Sequence, residues 1–426
     1  MAEYRRRVVD GELDELMRGA VAIAIEGPRA VGKTRTGLER AATIYDLADR
    51  ATRQAVTADP ARVLLGPRPI LIDEWQVVPE VWDVIRTAVD NVGDDPGQFL
   101  LTGSAVPKSR PAHPGTGRIL ALRMRPMTLA ERGVATPSVS LAGLLGGHRP
   151  DLGGTTAATA ADYAHAIVSS GLPGLLGRPP RAVRGQLDAY ISQVIDRDFE
   201  DLGGERIRNP AALRSWLQAY ASAVSTTTSL EKIRAAASSG RGEPPSKPTA
   251  LRYLDVLRRL WLIDPIPGWS PTMSHLHRLT LGPKHQVLDP AFAARLLGAD
   301  VATLLAGGPP GAHVRPDGTL FGALFESLVA LDVRTYAQDA EARVGHFRTK
   351  SGEREVDLIV ERPDRRILAI EVKAARTITD DHVKHLRWLR DQLGDNLLDA
   401  IVVSTGPDAY RRPDGIGVVP AALLGA

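Results

Sequence analysis

One stretch near the N-terminus constrains this chain more than any other. "VAIAIEGPRAVGKT", Val21 to Thr34, is an apolar run that passes directly into a glycine-rich loop. A continuous apolar run of that length reads as a strand buried on both faces, as in a parallel sheet covered by helices. The loop "GPRAVGKT" fits the phosphate-loop pattern G-x-x-x-x-G-K-[ST] at every fixed position. Backbone N–H groups of Gly27, Arg29, Ala30, Val31 and Gly32, with Pro28 shaping the turn, define a cradle for phosphate oxygens, and a following helix adds its dipole. Lys33 is placed to reach the β- and γ-phosphates, and Thr34 to offer a hydroxyl to Mg²⁺. ATP and Mg²⁺ are the expected ligands.

Two further apolar runs fit the same sheet. "PILIDEW", Pro69 to Trp75, ends in two acids. Asp73, at a strand end, can hold magnesium through water. Glu74 is the natural group to orient or deprotonate an attacking water. "GQFLLTGSA", Gly97 to Ala105, ends in hydroxyls. Thr102 or Ser104 could meet the γ-phosphate, and either could equally be a turn residue bonded to backbone. Arg110 and Arg118 are candidates for neutralising transition-state charge, in their own chain or a neighbour's.

At 426 residues the chain should hold several domains. Hydrophobic residues make up 43% and charged residues 24%, enough for packed cores and too mixed for disorder. The net charge of +3 permits nucleic-acid binding without demanding it. The absence of cysteine excludes disulfides and thiolate metal sites, and suits a reducing cytoplasm. No secretory signal and no membrane-spanning run is legible, so no membrane is expected as a partner.

The expected architecture is a multidomain α/β chain. Residues 1–135 form a P-loop domain with a parallel-sheet core. Residues 136–204 form a connector, rich in Gly, Pro, Thr and Ala at first, and a helical lid. Residues 205–278 read as helices followed by a short β element, a winged-helix-like module interrupted by "SSGRGEPPSKPT". Its last helix carries Leu251, Leu254, Leu257 and Leu260 at helical spacing, with Arg252, Arg258 and Arg259 either on phosphates or on a solvated face. Residues 279–426 form a second α/β section: an amphipathic helix, three strands joined by short turns, a helix and a final buried strand.

That last section holds a second constellation. In "ILAIEVKA", Ile367 to Ala374, Leu368, Ile370 and Val372 share one strand face, and Glu371 and Lys373 project together from the other. Such a pair often marks an exposed face. Asp357 on the preceding strand and Glu326 on the helix before it suggest more. A helix glutamate, an aspartate and E-x-K on adjacent strands resemble the PD-(D/E)xK nuclease-like fold, in which Glu326, Asp357 and Glu371 would hold a second divalent cation, Mg²⁺ or Mn²⁺. Lys373 would position or help deprotonate a water there.

Taken in order, "IEGPRAVGKT", "DPARVLLGPRPILIDEWQ", "QFLLTGSA", "GRILALRMRPMTLAE", "YISQVIDRDFEDL", "HQVLDPAFAARLLG" and "FRTKSGEREVDLIVE…LAIEVKA" resemble the prokaryotic ATP-binding proteins with an N-terminal AAA-type domain and a C-terminal DUF4143 domain. The resemblance implies an ATPase core, a winged-helix-like middle and a restriction-endonuclease-like terminal domain. Its nucleotide-site residues fall on Gly27, Gly32, Lys33, Thr34, Asp73 and Glu74. Its nuclease-like residues fall on Glu326, Asp357, Glu371 and Lys373. DNA or a protein is the expected macromolecular partner, with the terminal domain either cleaving or only binding.

Overall fold

The computed structural model of the chain describes residues 4–92, 95–104, 117–199, 209–238, 244–271, 281–306, 319–349 and 351–426. Five parallel strands form the first sheet: β1 (Ala22–Glu26), β2 (Thr43–Asp46), β3 (Ile70–Asp73), β4 (Phe99–Gly103) and β5 (Ile119–Arg123), in the order β2-β3-β4-β1-β5. Strand alternation sends side chains to two cores. Ala22, Ala24, Ile70, Ile72, Phe99 and Leu101 pack with Val56, Val81 and Ile85 from the helices Arg50–Ala58 and Glu80–Val92. Ile23, Ile25, Leu71, Leu100 and Leu122 pack on the other face with Val9 and Leu13 of the helix Val9–Leu16. Both faces are covered, so the apolar runs show no polar alternation.

The strand order positions the chemistry. Strand β4 lies between β1 and β3, with Glu26 beside Gly103 and Asp73 beside Thr102. The segments leaving these three strands therefore emerge together at one edge of the sheet.

The rest of the chain is more continuous than its sequence suggests. One apolar core runs from Leu129 to Leu424 and joins the helices Ala160–Ser169, Pro180–Gln193, Pro210–Ser222 and Pro290–Leu296 to the second sheet. The helix Leu320–Asp339 passes through it. The expected amphipathic character is not found there: Leu324, Phe325, Leu328, Val329, Asp332, Val333 and Tyr336 are all buried, a helix enclosed nearly all round. In the helix Lys247–Arg259 the buried face is Ala250, Tyr253, Val256 and Leu257, whereas Leu251 is exposed, so the apolar stripe is rotated from the expected leucine row.

After the short strand β6 (Val139–Ser140), the second sheet is mixed, with β7 (Arg343–Arg348), β8 (Glu355–Glu361), β9 (Ile367–Lys373), β10 (Leu397–Ser404), β11 (Tyr410–Arg411) and β12 (Gly417–Pro420) in the order β11-β12-β10-β9-β8-β7. Strand β10, expected to be the final strand, is followed by β11 and β12. After β12, Leu424–Gly425 pairs in parallel with Val139–Ser140, tying the chain's end to the connector. Helix Asp380–Leu393 covers one face through Val383, Leu386 and Leu389.

Three helices, Pro210–Ser222, Leu230–Ala236 and Lys247–Arg259, precede a short hairpin. Its two arms meet at Ile263–Val287 and Ile266–Lys284, and Trp269 N donates to His346 O, 2.7 Å away, joining the hairpin to β7. The hairpin thus straddles position 278, where the sequence had suggested a boundary.

The first sheet meets this hairpin through one acid. Asp264 Oδ1 accepts from Arg334 Nη2 at 2.6 Å, and Oδ2 lies 2.7 Å from Arg123 Nη2 and 3.6 Å from Arg125 Nε. Burial would raise its pKa, but Arg334, Arg123 and Arg125 together hold the carboxyl well below its usual range. Replacing Asp264 by alanine leaves three arginines facing one another. We expect Asp264→Ala to lower the unfolding free energy by about 3 kcal/mol, since breaking a buried ion pair from one side leaves charge uncompensated. Urea unfolding checks this; a loss below about 1 kcal/mol, the scale of an exposed pair, would show that the joint carries little.

Candidate functional site

The phosphate loop follows β1 directly. Gly27 and Gly32 take φ of 152° and 111°, and Ala30 takes 61°. A Cβ on Gly27 would stand 2.3 Å from the carbonyl oxygen of Met124, so only glycine lets the loop pass that close. Lys33 is buried, and its Nζ donates to the carbonyl oxygens of Gly27 (2.9 Å) and Pro28 (2.7 Å). Burial pushes Lys33 down to about 8, against the raising effect of the Glu74 and Asp73 charges.

Thr34 Oγ1 donates to Asp73 Oδ1 at 2.8 Å, and Thr102 Oγ1 donates to the same oxygen. Burial raises the pKa of Asp73 and the two hydroxyl donors hold it back. A hydroxyl and a carboxylate side by side are hard oxygen ligands of the kind Mg²⁺ takes, so these residues fit the expected ion. Glu74 leaves the strand in the left-handed region, φ 54°, an uncommon conformation for a residue with a side chain. Its Oε2 accepts from Ser104 Oγ at 3.1 Å and from Gln76 Nε2. The hydroxyls divide the work: Thr102 orients Asp73, and Ser104 orients Glu74. Gln76 was not anticipated from sequence, although it stands two residues beyond Glu74.

Arg29, inside the loop, points to another section. Its Nη1 donates to both oxygens of buried Asp198, each 2.8 Å away. Asp198 ends a π-helical turn, Val194–Asp198, that extends the helix Pro180–Gln193. Arg118 lies just before β5, at the opposite edge of the sheet, paired with Asp90. That position removes it from its own chain's phosphate site. Arg110 lies outside the described residues.

The second constellation also assembles. Glu371 is buried rather than on an exposed face, because helix Asp380–Leu393 covers its side of the sheet. Lys373 Nζ lies 2.6 Å from Glu371 Oε1 and 3.9 Å from Asp357 Oδ2. Asp357 Oδ2 accepts the Val372 N–H at 2.9 Å, just where the β8–β9 ladder ends. Burial pushes the Glu371 carboxyl up to about 8, with the Asp357 charge adding and Lys373 offsetting. Glu326 is likewise raised by burial, to about 7.

A residue that sequence reasoning missed sits between these acids. Lys284, fully buried, comes from the hairpin and places Nζ 2.9 Å from Glu326 Oε1, 3.0 Å from Asp357 Oδ1 and 3.2 Å from Glu355 Oε1. Burial alone would discharge it; Asp357, Glu326 and Glu355 hold its pKa well above the ordinary lysine value. Asp357 is correspondingly held down, to about 2, by Lys284 and Lys373 against the effect of burial. Among the described residues, no group of three or more His, Asp or Glu side chains is arranged to hold a metal ion. The expected second metal therefore does not fit Glu326, Asp357 and Glu371 as they stand.

A parallel sheet with a phosphate loop after β1 and an acid pair after β3 defines a P-loop nucleotide-binding domain. Residues 20–132 match the family model of the AAA domain, and residues 321–424 match DUF4143, a domain of unknown function. The chain thus carries an AAA domain that holds the phosphate loop and, C-terminal to it, a DUF4143 domain. Residues 160–303 between them match a further domain of unknown function, DUF8612. No curated protein matches the chain. Among solved structures, the Walker-type ATPase PABY2304 of Pyrococcus abyssi matches at 15% identity over 69% of this chain and 96% of its own, with a TM-score of 0.40. The ORC2 protein of Aeropyrum pernix, in ADPNP–ADP complexes, matches at 14% identity over 68% of this chain and 90% of its own, with a TM-score of 0.30.

Gly27→Ala tests the loop geometry. We expect loss of nucleotide binding, measured with a fluorescent ATP analogue, and an unchanged far-ultraviolet dichroism spectrum. Parental affinity in this variant would show that the close approach to Met124 is not what shapes the cradle.

Proposed function

We propose that this protein is a Mg²⁺-dependent ATPase whose nucleotide state acts on its middle and C-terminal sections. The observation that carries the proposal is the meeting of Lys33, Thr34, Asp73 and Glu74 at the edge where β1 and β3 end. Lys33 exchanges the carbonyls of Gly27 and Pro28 for β- and γ-phosphate oxygens. Thr34 and Asp73 would hold Mg²⁺, which when bound neutralises charge on the phosphates. Glu74, held by Ser104, orients a water and takes its proton as the water attacks the γ-phosphorus and the bond to the bridging oxygen breaks, releasing ADP and phosphate.

Arg29 supports the coupling. A guanidinium in the loop is drawn to phosphate as well as to Asp198, so a bound triphosphate competes for the partner of the π-helical turn. That turn belongs to the helical section whose core is shared with the second sheet. For the terminal domain, binding of DNA or a protein without cleavage is favoured over cleavage, because the Lys284 ammonium already pairs with Glu326 and Asp357, two of the three acids a catalytic metal would need.

Phosphate release tests the first site. Lys33→Ala should lose both binding and hydrolysis. Glu74→Gln should bind ATP while hydrolysing it about 100-fold more slowly or less. Parental rates in both variants would refute the assignment. The pH dependence is a separate check. Phosphate contact should raise the pKa of Lys33 above its value of about 8 in the free protein. Affinity should then be level below that pH and fall as pH rises above it, by about tenfold per unit until the bound-state pKa, with proton uptake on binding. Flat affinity across that window would mean that Lys33 does not change environment when nucleotide binds. For the coupling, Mg²⁺–ATP should alter amide hydrogen exchange at residues 194–199 in the parent and leave it unaltered in Arg29→Ala; equal responses would rule out this contact as the route.

A further inference from the structure

The acidic centre of the C-terminal domain is built around a cation, and the chain supplies one itself. An ammonium has three N–H donors and no acceptor. Lys284 faces three carboxylate oxygens, from Glu326, Asp357 and Glu355, all within 3.2 Å. A divalent ion such as Mg²⁺ would need about six oxygens at about 2.1 Å. Four of the oxygens at hand already accept a hydrogen bond. Asp357 Oδ1 and Glu326 Oε1 accept from Lys284, Asp357 Oδ2 accepts from Val372 N, and Glu371 Oε1 accepts from Lys373. Glu371 Oε2 is the one buried oxygen of this group without a hydrogen-bond partner, and one oxygen does not make a divalent site. A metal would also meet the repulsion of a fixed ammonium at its own position.

The lysine is not a side chain that has wandered in from the surface. Its backbone N–H donates to Ile266 O and its carbonyl accepts from Ile266 N, both at 2.9 Å, so the hairpin ladder fixes where the side chain starts. His346 stands beside it in β7, with Nε2 3.0 Å from Gly282 O. Burial first, and then the Lys284 charge, push His346 down to about 4, which leaves it neutral and adds no second cation to the centre.

We propose that Lys284 is the resident cation of the C-terminal centre: its ammonium stands in for a divalent metal, locks the hairpin onto the second sheet, and makes the centre metal-independent. The same carboxylates become a divalent-cation site when the lysine side chain is removed. This deepens the non-cleaving reading of the terminal domain and is independent of ATP hydrolysis.

The test is Mn²⁺ binding to the full chain without nucleotide, followed by electron paramagnetic resonance, together with thermal unfolding in Mn²⁺ and in EDTA. In the parent, Asp357→Asn should remove no Mn²⁺ binding. Lys284→Ala should unfold at a lower temperature in EDTA, because the acids lose their counter-charge. It should recover in Mn²⁺ and gain a site at least about tenfold tighter than any in the parent. Adding Asp357→Asn to it should abolish both gains. Lys284→Gln, one atom shorter and neutral but with two N–H donors, gives a second variant with a milder change. Stabilisation of either variant by Mn²⁺ supports the proposal. It is overturned if the parent binds Mn²⁺ in a way that Asp357→Asn abolishes, or if neither Lys284 variant gains Mn²⁺ binding or folds in its presence. Phosphate release by Lys33→Ala and Glu74→Gln reads the ATPase separately, so either conclusion can fail alone.

Discussion

A charge taken out of water must be met by an opposite charge or by a full set of partners, and this requirement shapes three junctions of the chain. At the nucleotide edge, Asp73 is met by the hydroxyls of Thr34 and Thr102, and Lys33 by two loop carbonyls. At the joint between sections, Asp264 is met by arginines from β5 and from the long helix. In the terminal domain, Lys284 is met by three acids. The kind of partner separates the three. Neutral partners at the first site can be exchanged for phosphate and Mg²⁺ at modest electrostatic cost, which suits a site that binds and releases. Full counter-charges at the other two leave nothing to exchange without exposing a bare ion, which suits a permanent joint.

The same distinction explains what could be read from the sequence. The phosphate loop is local: glycines are needed where the backbone turns through positive φ and passes Met124, and lysine and threonine must follow at fixed spacing. Three of the five strands of its sheet are local as well, because a strand buried on both faces is an uninterrupted apolar run. Glu326, Asp357, Glu371 and Lys373 could be grouped because two adjacent strands and one helix carry them. Lys284 could not. Its partners lie 42 and 73 residues further along, and nothing around "GPKHQVLD" marks a buried ammonium. The long helix misled for a related reason. Its polar residues suggest a solvent face, but Ser327 and Thr335 are buried, Thr335 donating back to Leu331 O, and Asp332 accepts from Leu129 N. The late strands were hidden by their size, two residues each for β11 and for Leu424–Gly425. Pairing that short is decided by the sheet it joins, not by its own pattern.

The hairpin between residues 263 and 287 brings these observations together. One arm carries Asp264, gripped by Arg123 at the end of β5, and Arg123 lies level with Glu26, the last residue before the phosphate loop. The other arm carries Lys284. Between them run main-chain bonds: Asp264 N to Gln286 O at 3.0 Å, and the reciprocal pair between Ile266 and Lys284. Two sections that share one short ladder cannot shift independently. A displacement of β5 toward or away from the hairpin must either break the Asp264 pairs, leaving three arginines uncompensated, or carry Lys284 with it against three carboxylates. Each alternative exposes buried charge and costs several kcal/mol. Small adjustments at the nucleotide edge are therefore resisted at this joint. The contact between Arg29 and Asp198 is an ion pair too, but its guanidinium is half-exposed and phosphate can replace the carboxylate as counter-charge; it lies on a different path, through a π-helical turn whose hydrogen bonding is already irregular. On the proposed coupling, motion driven by nucleotide would have least to overcome along that second path, with the charged hairpin as its fixed point.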